Sequence, residues 1–350
     1  MKKILTISPG STSTKAGLFT PEGKIDEISV PVEQEYARKN VVQEYAYRRD
    51  LLKRFLEKID LSDLAAVVGR GAPLKPMEGG VYKITPKLLS DLRECRYSNH
   101  ASNLGGLLAH YFGELYKVPA WIIDPVSVDE FDEISRISGV PEIRRRSRSH
   151  ALNIKATARK WCDEYGEVLE KENFVVAHLG GGISICALKM GKIRDVNDGL
   201  LGMGPFSPER AGALPISGLL DLAFSGDYTR KELDHYLSRE CGLKGYLKTN
   251  DAREVVRRIQ EGDKYAQLIM DAMIYQIEKE IGAMLAACHF VVKAVLITGG
   301  LAHCLYITRR LQDHFSMFNI HIIPGENELE AMADGGFRAL KGDIPVQDYM

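Results

Sequence analysis

Apolar and polar positions follow the same order in two distant stretches of the chain. Near the start stands ILTISPGSTSTKAGLFTPEGKIDEISV, and from Phe174 stands FVVAHLGGGISICALKMGKIRDVND. In each, an apolar run meets small turn residues and an alternating run follows. A Gly-Lys pair (Gly23-Lys24, Gly191-Lys192) then precedes a third strand-like run. Apolar runs bounded by small residues predict strands, and the Gly-Lys pairs predict hairpin turns. One such pattern is most simply an ordinary hairpin; its repetition favours duplicated domains.

Other segments alternate between strand and helix. Helical spacing is expected over 41–59, 85–95 (with Pro86 in its first turn), 104–116, 149–167, most of 228–262, 264–288, and from Tyr306 and Glu328 onward. Strands are expected over 65–69, 120–124, 291–298 and 320–323. The stretch 199–218, rich in Gly, Pro and Ser, reads as a functional loop. The sum is an α/β protein with two similar sheets. The expected division is a domain over 1–148 and another over 149–330, with a helix in 331–350 returning to the first.

A chain of 350 residues exceeds what one core usually fills, which agrees with two domains. With 45% hydrophobic and 27% charged residues, a disordered majority is excluded. The net charge of −1 gives no reason to expect nucleic acid or a membrane surface as partner. Six scattered cysteines without a CxxC pair argue against zinc and for a reducing compartment. The opening apolar run ends at Ser8-Pro9-Gly10, too early for a signal peptide, and His289 and Lys293 interrupt the longest later one. A cytoplasmic protein is expected.

Candidate chemistry then falls at the ends of strands. The Gly/Ser turns hold Gly10, Ser11, Thr12 and Ser13, followed by Lys15, and Gly180, Gly181 and Gly182, followed by Ser184. Free backbone N–H groups in such turns converge on anions, so two facing turns suit a polyphosphate. Gly299-Gly300 after an apolar strand suits close approach of a purine or ribose, or simply a tight strand-to-helix turn. Asp124 ends a strand, where α/β proteins place reactive groups, and a carboxylate there suits Mg²⁺ through water or a helix cap. Arg70 sits at a strand end before Gly71, placed to fork onto a carboxylate or phosphate or to stand on the surface. The run from Arg144 to Arg148 leads to Ser149-His150; most of these arginines read as solvated, with one or two for phosphoryl chemistry. His100 and His178 adjoin helix or loop starts, and the triple glycine makes His178 the stronger candidate. Glu326 and Glu328 suit either a helix cap or a metal.

Taken together, these residues resemble the acetate and butyrate kinases, within the larger group of duplicated-fold phosphotransferases that includes sugar kinases, Hsp70 and actin. The acetate kinase motif N-S-G-S-S-S-x-K appears here as Ser8-Pro9-Gly10-Ser11-Thr12-Ser13-Thr14-Lys15. H-L-G-N-G-x-S appears as His178-Leu179-Gly180-Gly181-Gly182-Ile183-Ser184, and the adenosine loop T-G-G-I-G as Thr298-Gly299-Gly300-Leu301-Ala302. The matches run in order along nearly the whole chain. Gly69 to Pro76, Ser149 to Asn153 and Gly204 to Arg210 look like the butyrate kinase versions of the motifs.

The resemblance implies two ribonuclease H-like domains with a cleft between them, and reversible phosphorylation of a short-chain fatty acid by MgATP to an acyl phosphate. It implies Arg70 and Arg210 on the carboxylate or transferred phosphoryl group, and Asp124 organising Mg²⁺. It places His100 and His178 on substrate and phosphates, Leu301 with the two glycines at adenosine, and Glu328 and Glu326 in the metal shell. Three departures stand out. Ser8 replaces an asparagine of the metal shell. The catalytic histidine falls near Arg146 when the Ser-His pair is aligned on Ser149-His150, so either Arg146 or His150 faces the phosphoryl group. The second arginine aligns near Ile216, and Arg210 is taken in its place.

Two valines that usually follow the first arginine are Gly71 and Ala72 here. Smaller walls would leave room for extra methylenes, each worth about 0.8 kcal/mol when buried, which favours butyrate or a branched acid over acetate. No Ser-His-Asp arrangement is present, consistent with direct transfer. Acetate or propionate kinase activity, or a non-catalytic ATP-binding protein of the actin/Hsp70 fold, are the competing expectations. A homodimer or larger homo-oligomer is expected from the resemblance.

Overall fold

A computed structural model describes residues 1–33 and 41–350. The chain divides into two compact units: 1–128 with 327–350, and 129–326. The boundary therefore falls ahead of the Arg148 expected from sequence. The reason is that 129–148 is tied to the second unit's edge strand. Glu130 accepts from the backbone N–H of Ile193 and pairs with Lys155 at 2.8 Å, and Arg145 pairs with Asp195 at 2.7 Å.

The first unit holds strands β1 (Lys3–Pro9), β2 (Ser13–Thr20), β3 (Gly23–Pro31), β4 (Leu64–Arg70), β5 (Val81–Lys83) and β6 (Ala120–Ile123). The second holds β7 (Asn173–Leu179), β8 (Ile183–Lys189), β9 (Lys192–Val196), β10 (Ala294–Gly299) and β11 (Ile320–Pro324), and β12 (Val346–Gln347) returns to the first. The sheet orders are β12-β5-β6-β4-β1-β2-β3 and β11-β10-β7-β8-β9. Within them, β6-β4-β1-β2-β3 and β11-β10-β7-β8-β9 have the same pairings: two parallel links, then two antiparallel ones. This is the duplication that the two hydrophobic patterns announce. Ser8 on β1 and His178 on β7 hold the same place, next to last on equivalent strands.

The hairpin reversals sit earlier than the Gly-Lys pairs suggest, by two residues in the first hairpin and one in the second. The turn residues are Pro21-Glu22 and Met190-Gly191. Met190 and Gly191 both have positive φ, 48° and 75°, the geometry that matches the twist of a tight hairpin.

Both cores alternate along their strands, as period-two patterning requires. In the first unit Leu5, Ile7 and Val67 join one apolar cluster with helix Asn103–Tyr116. Ile4 and Val68 on the other face meet helix Glu328–Lys341, where a side chain at Gly336 would begin 2.8 Å from Ile4. In the second unit Val175, Ala177, Val295 and Ile297 pack with helix Lys264–Ala287. Phe174 stacks edge-on against Trp161 of helix Ala151–Tyr165.

Helix starts follow capping chemistry. Thr85 caps Pro86–Arg93, Thr229 and Glu232 form a capping box, and Asp251 and Asp263 cap helices Ala252–Gln260 and Lys264–Ala287. Helix Ile216–Ala223 begins inside the stretch expected as loop, because Gly218 does not outweigh its apolar neighbours. Among the described residues no helix is long and apolar enough to cross a membrane.

Candidate active site

On the first unit, the β1–β2 loop closes through the Gly10 N–H, which donates to the Ser13 carbonyl at 2.7 Å. Arg48, a residue sequence reading passed over, shapes this loop from beneath. It is 1% exposed, and its Nη1 donates to the Gly10 carbonyl and the Thr14 hydroxyl at 2.8 and 2.9 Å. Its charge is met by buried Glu44, one helical turn away at i−4. The loop carbonyls thus turn inward onto a fixed cation, and Ser11, Thr12 and Lys15 stand exposed. The only sequence signal for Arg48 was an arginine and a glutamate four apart in an otherwise charged helix.

Beside that loop, Glu328 joins three elements of the unit. One carboxylate oxygen meets Arg70 Nη2 at the end of β4, at 2.9 Å. The other accepts from the Ser8 hydroxyl, also at 2.9 Å. Glu328 opens its helix just after Asn327, whose φ of 40° turns the chain sharply. Asp124, buried after β6, has φ 37°. Its Oδ1 accepts the Gly80 N–H at 2.7 Å, and its own N–H donates to the Gly80 carbonyl. The Asp124 carboxylate is thus held by the backbone ahead of β5. His100 stands before helix Asn103–Tyr116, and its Nδ1 accepts the Ser102 N–H at 3.2 Å, so the ring presents Nε2–H.

Gly71 and Ala72 do not provide the room for substrate that their small size suggests. A side chain at Gly71 would begin 2.5 Å from the Cα of Pro125, and Ala72 is 1% exposed within the apolar core. The space beside Arg70 is filled by protein, so small residues there do not open a wall for substrate.

On the second unit, His178 is 2% exposed and stacks on His150, with centroids 4.0 Å apart and planes 18° apart. His178 Nδ1 lies 2.8 Å from Asn153 Oδ1, and His150 Nδ1 lies 2.9 Å from Ser184 Oγ. Ser184 is fully buried, so its hydroxyl supports His150 from within. At Gly180 a side chain would begin 3.1 Å from His178 Nε2 and 3.6 Å from Glu326 Oε1, which gathers loop, histidine and carboxylate. Arg210 lies across Gly182, and its Nη1 donates to the Gly199 carbonyl. Burial pushes its guanidinium down from the usual range, but an arginine stays protonated. Its Nε is buried without a hydrogen-bond partner. Ser207 fastens the loop by donating to the Gly181 carbonyl at 2.6 Å.

Of the basic run, Arg144, Arg145 and Arg148 pair with Glu133, Asp195 and Asp198. Arg146 is exposed. His150 rather than Arg146 joins the histidine–glycine cluster.

Gly299, with φ 91°, lets β10 pass Leu179: a side chain there would begin 2.3 Å from the Leu179 carbonyl oxygen. Beyond it, Gly300 and Leu301 line a cleft of about 1220 Å³. Its other walls include Asp251, Arg253, Val256, Tyr306 and Arg309, none of which sequence reading singled out. Cleft size and an apolar-plus-charged lining suit a nucleoside.

A model of the acetokinase family matches residues 143–340. The chain belongs to the acetokinase family. Solved structures agree on the fold. Acetate kinase from Porphyromonas gingivalis is 20% identical, with 96% of this chain and 99% of that one aligned and a TM-score of 0.78. A propionate kinase from Francisella tularensis subsp. tularensis is 19% identical over 96% and 99%, with a TM-score of 0.77. Acetate kinase from Entamoeba histolytica is 17% identical over 96% and 98%, also at 0.77. The duplicated ribonuclease H-like architecture expected from sequence is the one observed. Acetokinases are ATP-dependent phosphotransferases that act on short-chain carboxylates, and the chain is placed among them.

The donor set suits Mg²⁺. The Ser8 hydroxyl and the carboxylates of Glu328 and Asp124, all on the first unit, are hard oxygen donors. Among the described residues no cluster of three or more His, Cys, Asp or Glu forms a closed metal cage. Mg²⁺ is usually held by one or two carboxylates together with waters and substrate phosphates, so an open set of this kind fits it.

Proposed function

We propose that the chain phosphorylates butyrate or a branched relative with MgATP, reversibly and by direct in-line transfer. The observation that carries the reading is Arg210. It is a half-buried guanidinium set against the glycine loop, with a buried Nε that no hydrogen bond occupies, in a member of a carboxylate kinase family. The preference for a longer acid rests on the residues Gly69 to Pro76, Ser149 to Asn153 and Gly204 to Arg210, which resemble the butyrate kinases.

The chemistry asks little of a general base, because a carboxylate is already ionised at neutral pH. It asks for alignment and for cancellation of negative charge. In this reading Arg70 and His100 orient the acid, and Arg210 and His178 meet the transferring phosphoryl group. The amides of 10–13 and 180–182 cradle the phosphates, and the cleft at Gly300 and Leu301 takes adenosine. Glu328, Asp124 and Ser8, with Glu326, would hold Mg²⁺, which supplies further charge neutralisation. His150 supports His178 by stacking.

A panel of acetate, propionate, butyrate, isobutyrate and valerate, with acyl phosphate trapped as hydroxamate, tests the reading. The highest kcat/KM is expected for butyrate or isobutyrate. An acetate or propionate optimum would replace the finer assignment with that of the solved relatives.

We also propose a homo-oligomer. Ile216 and Leu220 on one short helix, and Phe224 just past its end, are 76%, 51% and 84% exposed, which favours burial against another chain. Sedimentation equilibrium should give a mass above that of one chain.

A further inference from the structure

We infer that Asn153 is a positioning residue for the reaction: it fixes His178 in the Nδ1–H form, with Nε2 turned to the glycine loop. The inference rests on the reading of His178 as a phosphate contact.

Asn153 is 5% exposed, on the first turn of helix Ala151–Tyr165. One end of its amide lies 2.5 Å from the Glu326 carbonyl oxygen and the other 2.8 Å from His178 Nδ1. A carbonyl only accepts, so the end facing Glu326 is the NH₂ group. The end facing His178 is then the oxygen, which also only accepts. Nδ1 must therefore carry the proton. In a neutral ring the lone pair lies on Nε2, the atom 3.1 Å from where a Gly180 side chain would begin.

The ring plane is fixed as well as the tautomer. His150 stacks on one face at 4.0 Å and is itself held by Ser184. Asn153 also ties the histidine to the backbone at Glu326, so the histidine, the glycine loop and the residue that ends the second unit share one amide. A backbone carbonyl cannot titrate, so the Glu326 end of the bridge keeps its polarity at any working pH. The arrangement leaves Nε2 with a single direction and a single chemical character toward whatever occupies the loop.

The test is the nitrogen spectrum of the full-length protein labelled with ¹⁵N-histidine. It is recorded at alkaline pH without and with MgADP, with the His178 signals assigned by their loss in His178→Gln. Wild type should show Nδ1 as the protonated nitrogen and Nε2 as the bare one. Asn153→Asp keeps an acceptor toward His178 and should keep that pattern, although its hold on Glu326 is lost. Asn153→Ala should lose it, with kcat reduced roughly 10- to 100-fold, the usual size of effect when a functional histidine loses its orienting partner. The KM for the acid should stay close to wild type, because the acid's proposed contacts lie on Arg70 and His100.

A wild-type His178 protonated on Nε2 overturns the inference even if Asn153→Ala does not fold. So does Asn153→Ala that keeps the wild-type pattern. Full activity of His178→Gln would instead remove the role of His178 and leave the tautomer assignment standing, so the two failures are distinguishable.

Discussion

Arg210 occupies the room that a side chain at Gly182 would need: the first carbon of such a side chain would fall 2.1 Å from Arg210 Nη1. The obstacle is the far end of a flexible side chain, so the fold can yield but the guanidinium must move. Gly182→Ala is therefore expected to fold with a near-normal melting temperature and to lose activity by more than about tenfold, as displaced catalytic groups do. Steady-state kinetics beside thermal unfolding checks this. Full activity would show that the position of Arg210 does not matter.

The buried pair under the first loop gives a prediction of opposite character. Arg48→Met leaves Glu44 buried and unmatched, which costs about 3–5 kcal/mol. The double variant Arg48→Met with Glu44→Leu should recover much of that stability in urea unfolding. It should not recover nucleotide affinity, since the Gly10 and Thr14 contacts to Arg48 are still missing. A double variant with wild-type KM for ATP would show that the loop keeps its shape unaided.

Much of the fold was legible because period-two runs and Gly turns repeat, and the structure repeats with them. Arg70 and Glu328 stood out at a strand end and a helix start, Ser8 through the family resemblance, and Glu328 meets each of the other two at 2.9 Å. His150, His178 and Gly180 likewise converge. What the sequence could not show was the direction of side chains. Ser184 follows a glycine loop but points inward to His150, and Gly71 looks like spare room but is filled by Pro125. The far wall of the cleft comes from 250–260, brought beside Gly300 by packing of distant helices, which leaves no local pattern to read.

The packing at Gly71 carries its own test. Gly71→Val meets backbone atoms of Pro125, so it should destabilise by about 1–3 kcal/mol or more through overpacking. The ratio of butyrate to acetate turnover should not move in whatever folded protein remains. A clean switch toward acetate with unchanged stability would restore the pocket argument.

Glu280, half-buried on helix Lys264–Ala287, has its carboxyl raised above the ordinary 4.5. Burial is the main cause and the charge of Asp195 the next, with Arg145 and Lys279 opposing. A raised carboxyl binds its proton more tightly folded than unfolded, so it stabilises below its unfolded pKa and loses that contribution as pH rises through the folded one. Glu280→Gln should therefore melt increasingly above wild type as pH climbs from about 4.5 toward neutrality. Differential scanning across that range would show the gap opening. A gap that closes with rising pH would contradict the assignment.

The most direct measurement of the central claim is ³¹P NMR of the purified protein with MgATP and butyrate carrying ¹⁸O in its carboxyl group. Direct attack of the carboxylate on the terminal phosphoryl group predicts an acyl phosphate resonance displaced by bridging ¹⁸O, growing in step with ADP and abolished in Arg210→Ala. Formation of ADP and unlabelled phosphate alone, with no acyl phosphate from butyrate or any shorter acid, would contradict it.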